Sequence, residues 1–221
     1  MADILKKYSI ISLGSNCCIK KYLQHISATN ETHLFDWIGT SLWSICEIFE
    51  NNFDDFFSKQ EYKLSPIIAG IDSIITHSRY YIRFMHDFDN GNMDLFDDFV
   101  EKYNRRITRL KDTLTKYSNS GQKILFLRLA ENHKNRITYT QYQNKNIDET
   151  YGAKQLCKII SEIYPKLNFT LLLFDYNNKQ PIVDDHLVVI RATGVITYGN
   201  CIPALEQIIN INKRFLEHVL I

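Results

Sequence analysis

The sequence lacks any run of apolar residues near the roughly 18 or more that a membrane span requires. It also lacks an apolar leader followed by a small-residue cleavage site, since Met1 to Lys7 passes directly into the first apolar stretch. The chain is therefore expected to be soluble and cytoplasmic, with no membrane partner. Charge of one sign is missing too: 26 Lys and Arg stand against 25 Asp and Glu, a formal net charge of +1. That balance gives no long-range attraction to a polyanion, so no nucleic-acid partner is expected. The five cysteines, at positions 17, 18, 46, 157 and 201, make no C-x-x-C pair and no zinc-type spacing. His77, His133 and His186 add no ligand pattern. No metal and no cofactor is expected, and the odd, scattered thiols fit a reducing compartment. The first turn has one glycine, so neither G-x-G-x-x-G nor the P-loop pattern is present.

What is present has length enough for one large domain, and a single domain over residues 1–221 is expected. Its most informative piece is Tyr8 to Cys18, an apolar run ending in Gly14-Ser15-Asn16 with a cysteine opening a helix. This reads as strand, tight turn and helix start. A short helix from Cys17 to about Ile26 follows, then a polar turn and the aromatic-rich Leu34 to Gly39. Ser41 is placed to N-cap a helix through about Asn51, because Leu42, Ile45, Ile48 and Phe49 recur at helical spacing. Ser78 to Met85 alternates as a strand ending at His86-Asp87. From Met93 to about Tyr117 an apolar stripe predicts a long amphipathic helix, stopped by Ser118 to Gly121.

The second half repeats the rhythm: strand Lys123 to Leu129, helix Tyr151 to Tyr164, strands Asn168 to Phe174 and His186 to Arg191, and a last helix Ile202 to Val219. Strands of Leu, Ile and Val separated by amphipathic helices predict a three-layer α/β fold around a mostly parallel, doubly wound sheet of Rossmann or flavodoxin type. The polar segment 131–146 reads as a mobile insertion or lid.

Ligands in such sheets bind outside the carboxyl ends of the strands. Gathered at those ends are Ser15-Asn16-Cys17, His86-Asp87, Arg128 with Glu131-Asn132-His133, and Asp175. A thiol at a helix N-terminus sits among unpaired N–H groups that favour the thiolate, which marks Cys17 as the candidate nucleophile. Backbone N–H groups of the turn and the Asn16 side chain are candidates for stabilising an oxyanion. Structural roles stay open for each residue. Cys17 and Cys18 also read as small packing residues, His86-Asp87 as a turn closure, and Asp36 as a cap or buried acceptor. Arg128, on an apolar strand, needs a carboxylate or phosphate partner, supplied by an ion pair or by substrate.

Ser12 to Cys17, Phe35-Asp36-Trp37-Ile38, Asn52-Phe53 with Phe56 and Phe57, Phe84 to Phe88, and Ile124 to Arg128 occur in this order. Together they resemble a family, found in bacteria and large DNA viruses, described as putative papain-like cysteine peptidases. The resemblance covers about the first two thirds of the chain. It implies Cys17 as nucleophile and His86 as base, with Asp36 or Asp87 as orienting group. Gly14, Ser15, Trp37 and Arg128 are then expected on the substrate-binding side. It also implies a papain-like α+β fold as the alternative architecture. The leading expectation is a thiol-dependent hydrolase or acyl transferase acting on peptide or isopeptide bonds. Two alternatives are kept: an esterase-like or transferase enzyme acting on a small glycan-like substrate, and a non-catalytic virus–host interaction module.

Overall fold

The computed structural model describes residues 5–64, 74–88, 91–130 and 148–220. In chain order its elements are β1 (Ser9–Ser12), α1 (Cys18–His25), β2 (Ile38–Gly39), α2 (Leu42–Glu50), β3 (Tyr62–Leu64), β4 (Ile75–His77), β5 (Ile82–Phe84), α3 (Phe96–Ser120), β6 (Ile124–Leu129) and α4 (Glu149–Ile163). There follow β7 (Phe169–Asp175), β8 (Ile182–Asp184), β9 (Leu187–Arg191), α5 (Cys201–Ile211) and α6 (Lys213–Leu220).

The four segments that read as buried strands, β1, β6, β7 and β9, pair in parallel, and β8 adds an antiparallel edge in the order β1-β6-β7-β9-β8. Alternation along the strands assigns their two faces. Ile124 and Phe126 of β6 join Ile45 and Ile48 of α2, Phe99 and Leu110 of α3, and Leu156 and Ile160 of α4. Leu125, Leu127 and Leu129 point the other way, onto Ile19 and Leu23 of α1, Leu205 and Ile208 of α5, and Leu216 of α6. Both faces of the sheet are thus covered, which is why its strands read as continuous apolar runs rather than alternating ones. Each fully buried Leu or Ile here contributes about 1.5–3 kcal/mol by leaving water.

A second, antiparallel sheet has the order β2-β5-β4-β3. The molecule is therefore mixed α/β, with a mostly parallel five-stranded sheet and a small antiparallel one. Tyr62, Phe84, Phe88, Phe99 and Tyr103 pack ring on ring between the small sheet and α3.

Two expectations about elements change, and a third is not reached. The strand expected over residues 78–85 is a turn followed by β5 alone, because Tyr81 takes φ 51° and reverses the chain into a hairpin with β4. The last helix breaks at Asn212, whose side chain donates to the Ile208 carbonyl as α6 starts in a new direction. The segment 131–146 lies outside the described residues.

One feature of the topology locates a site. β1 feeds α1 on one face, while α4, after the adjacent β6, covers the opposite face. Where neighbouring parallel strands send the chain to opposite sides, a crevice opens at their carboxyl ends. The turn at residues 14–17 stands there. Among the described residues no helix is long and apolar enough to cross a membrane.

Candidate active site

The turn after β1 is tight because Gly14 and Ser15 both take left-handed conformations, each at φ 69°. A Cβ on Gly14 would lie 3.0 Å from the Phe35 carbonyl oxygen and 3.0 Å from Thr40 Cγ2, so only glycine allows this turn to sit directly on residues 35–40. Ser15 is buried, and its Oγ has no hydrogen-bond partner. A non-glycine residue held at positive φ stores strain that clusters at functional sites. Asn16 Oδ1 accepts from the Cys18 N–H at 2.9 Å and satisfies one of the donors at the start of α1. Its amide nitrogen is left for another acceptor. Cys17 is the residue before the first helical position, with φ −77° and ψ 0°.

Cys17 is 4% exposed, and burial pushes its thiol up. Its own backbone N–H and Lys21 pull the other way, and Cys201 adds to the rise. The helix start alone pointed to a lowered thiol pKa. In the structure loss of water outweighs the N–H field, because a thiolate is charged and a buried site withholds solvation. Cys201 opens α5, which packs beside α1 in the same apolar layer as Cys18. Lys21 Nζ lies 3.8 Å from the centroid of the Tyr198 ring and donates to the Tyr198 carbonyl at 3.1 Å, holding the loop before α5 against α1.

His86 follows β5 of the antiparallel sheet and is exposed. Its ring meets Trp37 edge to face, with centroids 6.2 Å apart at 88°. Trp37 itself precedes β2, whose Ile38 and Gly39 pair with Phe84 and Arg83. The tryptophan and histidine are thereby brought together by one strand pair. No hydrogen bond joins Cys17 to His86 among the described residues. Asp87 turns away from the histidine: Lys102 Nζ lies 2.5 Å from Oδ1 and the Tyr103 hydroxyl donates to Oδ2 at 2.9 Å. Both oxygens of this expected orienting group are occupied by α3.

Asp36 is also engaged elsewhere. Its Oδ2 accepts from the His33 N–H at 2.8 Å and lies 3.1 Å from Lys20 Nζ, and neither charged side chain is more than 2% exposed. Lys20 also donates to the Glu31 carbonyl. Burial raises the Asp36 carboxyl, against the pull of Lys20 and the His33 N–H. His33 is held neutral: burial, with Lys20 and Arg109 nearby, lowers its pKa to about 4. Glu31 Oε2, 3.8 Å from Nε2 and largely exposed, is too well hydrated to reverse this.

Arg128 has no accessible surface. Nε and Nη2 donate to the two oxygens of Glu149 at 3.0 and 2.9 Å, and Nη1 donates to the carbonyls of Leu13 and Thr40 at 2.8 and 2.9 Å. Arg128, expected on the substrate-binding side, is instead fully buried, held by Glu149 and by the carbonyl of Leu13 just before the turn. The ion pair supplies the partner that an apolar strand makes necessary. Asp175, at the end of β7, is likewise bonded to Thr150, Asn178 and the Asn177 N–H. Among the described residues no group of three His, Cys, Asp or Glu is arranged to hold a metal ion.

The structure thus brings Gly14 onto the segment that holds Asp36 and Trp37, and brings Trp37 onto His86. Lys20 was not singled out by sequence reasoning. The available signal was a lysine between Ile19 and Tyr22-Leu23, inside the apolar stripe of α1.

Cys17 thus stands at a strand-to-helix turn of the parallel sheet and His86 after a strand of the antiparallel one, on a mixed α/β scaffold. The family described as putative papain-like cysteine peptidase matches residues 8–177, and the chain belongs to it. Comparison with curated proteins and with solved structures gave no match.

Proposed function

We propose that the chain is a thiol-dependent hydrolase, or an acyl transferase of the same chemistry, with Cys17 as nucleophile and His86 as general base. Peptide or isopeptide bonds are the substrate class that the family description suggests. The observation that carries this reading is the close approach of Gly14, three residues before Cys17, to the carbonyls of Phe35 and Ile38, which flank the segment holding Trp37 with its edge contact to His86. The imidazole takes the thiol proton as sulfur attacks the carbonyl carbon, and returns it to the leaving amine; water then cleaves the thioester, or a second amine does so in transfer. The donors of the turn, with the Asn16 amide, stabilise the oxyanion. Cys17 and His86 pair in the substrate complex, since catalytic hydrogen bonds are often long in the free enzyme. The scaffold is read as a three-layer, Rossmann-like sheet with the histidine on an added antiparallel sheet. The work is assigned to the reduced interior of a cell.

The test is alkylation of the native protein with iodoacetamide, located by peptide mass mapping. The expected outcome is modification of Cys17 ahead of Cys46 and Cys157. Equal modification of all thiols, and only after unfolding, rejects the nucleophile. A second reading is favoured by the burial of Cys17 and the raised pKa of its thiol. In it the protein is a non-catalytic interaction module that keeps the motif for packing, and Cys17→Ser leaves both fold and binding intact.

A further inference from the structure

The buried pair Lys20–Asp36 takes no part in the chemistry proposed above and is costly to maintain. Two charges are removed from water in a site where apolar residues of similar volume are often at least as stable. Its position gives it a use. Lys20 lies three residues beyond Cys17, close to one helical turn, and so on the same side of α1. Its ammonium crosses to Oδ2 of Asp36 and to the Glu31 carbonyl. Asp36 closes the His33–Asp36 turn by accepting the His33 N–H, and the next residue is Trp37, the ring that meets His86. An unbroken chain of contacts therefore runs from the nucleophile's helix through Lys20 and Asp36 to Trp37 and the histidine.

Among the described residues, Lys20–Asp36 is a charged link from α1 itself to the segment that leads into Trp37 and β2. The turn meets residues 35–40 through the close approach of Gly14, and Arg128 ties the Leu13 and Thr40 carbonyls together at the far end of that segment from Asp36. Asp87 is fixed to α3 by Lys102 and Tyr103, which anchors the backbone beside His86 but not its ring. The ring's only described aromatic neighbour is Trp37.

We infer that Lys20 and Asp36 are positioning residues, a strut that holds the Trp37 ring against His86. This rests on the assignment of Cys17 and His86 as the site, but its test does not use the thiol. An indole emits less strongly beside an imidazolium than beside a neutral imidazole. In a Trp43→Phe background Trp37 is the remaining tryptophan, and its emission should show a step with pH that His86→Gln removes. The Lys20→Met/Asp36→Asn variant takes out both charges together, which avoids stranding one in the interior, while the asparagine still accepts from the His33 N–H. Lys102, Tyr103 and Asp87 stay in place, so their field on His86 is common to all variants.

The expected result is loss of the emission step in the double variant, with the far-ultraviolet circular dichroism of the parent retained. A step of unchanged size in the folded double variant overturns the strut, as does absence of any step that His86→Gln removes in the parent. Should the double variant not fold, Lys20→Arg keeps the charge on a longer, planar head that displaces Asp36. A smaller step there supports the proposal and an unaltered one rejects it. Failure of Cys17 to alkylate would reject the proposed chemistry and leave these emission results standing.

Discussion

Arg128 and Glu149 meet as a two-pronged ion pair in the interior, with 0% and 2% of their side chains exposed. The remaining bonds of the guanidinium reach the carbonyls of Leu13 and Thr40, so one side chain joins β6, the first turn of α4, the end of β1 and the entry to α2. Glu149→Ala leaves a buried guanidinium without its counter-charge and should cost about 3–5 kcal/mol. Arg128→Lys should also lower stability, because an ammonium cannot span a carboxylate and two carbonyls at once. Urea unfolding midpoints measure both. Unchanged midpoints would show that Arg128 is held for a ligand and not for the fold.

Thiol reactivity should separate Cys17 from the helix cysteines. Burial pushes Cys46 and Cys157 up to about 12, with Glu50 adding at the first and Cys46 at the second. At neutral pH their thiolate fractions are on the order of 10⁻⁵. Cys17 is also raised, but Lys21 and its own N–H oppose the shift. Its alkylation rate should exceed theirs and keep climbing with pH beyond 9, where the free thiolate accumulates. A plateau below pH 7 would show that an ion pair with a histidine already exists in the resting protein.

Acid stability should report His33. Its folded pKa of about 4 lies below the ordinary 6.5, so the unfolded chain binds the extra proton between those values. The contribution is present in full above pH 6.5 and is lost as pH falls towards 4, at up to about 1.4 kcal/mol per pH unit. His77 is lowered mainly by burial and adds a loss of the same sign. Unfolding free energies at pH 7 and pH 5 should therefore differ, and His33→Gln should reduce the difference.

Two glycines with nearly the same backbone angle should respond differently to alanine. Gly14 and Gly121 have φ 69° and 70°, and a left-handed alanine costs about 1–2 kcal/mol at either. A Cβ at Gly121 meets nothing within 4 Å, whereas at Gly14 it meets a backbone oxygen that cannot rotate away. Gly14→Ala should thus be the more destabilising in thermal melts and should slow Cys17 alkylation or expose it, while Gly121→Ala leaves that rate unaltered.

The parallel sheet was legible because β1, β6, β7 and β9 are each apolar on both faces, a pattern that only a doubly covered sheet explains. Helix α3 was equally plain: Gly121 ends it and six buried residues from Phe96 to Leu114 mark its stripe. The antiparallel sheet was not. Its strands are two or three residues long, too short for a period to show, and Tyr81 turns left-handed without being glycine. Gly14 and Cys17 were legible as a turn and a helix start. The partners of Asp36, Asp87 and Arg128 were not, since they lie on α1, α3 and α4 and only tertiary packing selects them.

The pairing of β1 with β6 has a consequence for the order of assembly. Ser9 to Ser12 find their partners at Ile124 to Leu127, and the Leu13 carbonyl waits for Arg128. A contact closing so long a loop comes late, after its entropy is offset by the packing of what lies between. During synthesis the turn that carries Cys17 emerges well before β6, and β1 has no parallel partner to lie against until about a hundred further residues have followed. Fragments that stop before Ile124 should collapse around the aromatic rings of the small sheet and α3 while Cys17 remains on an undocked segment. The strand that leads into Cys17 gains its sheet partner only from the later half of the chain, so an unfinished product carries the cysteine at the end of an unpaired strand.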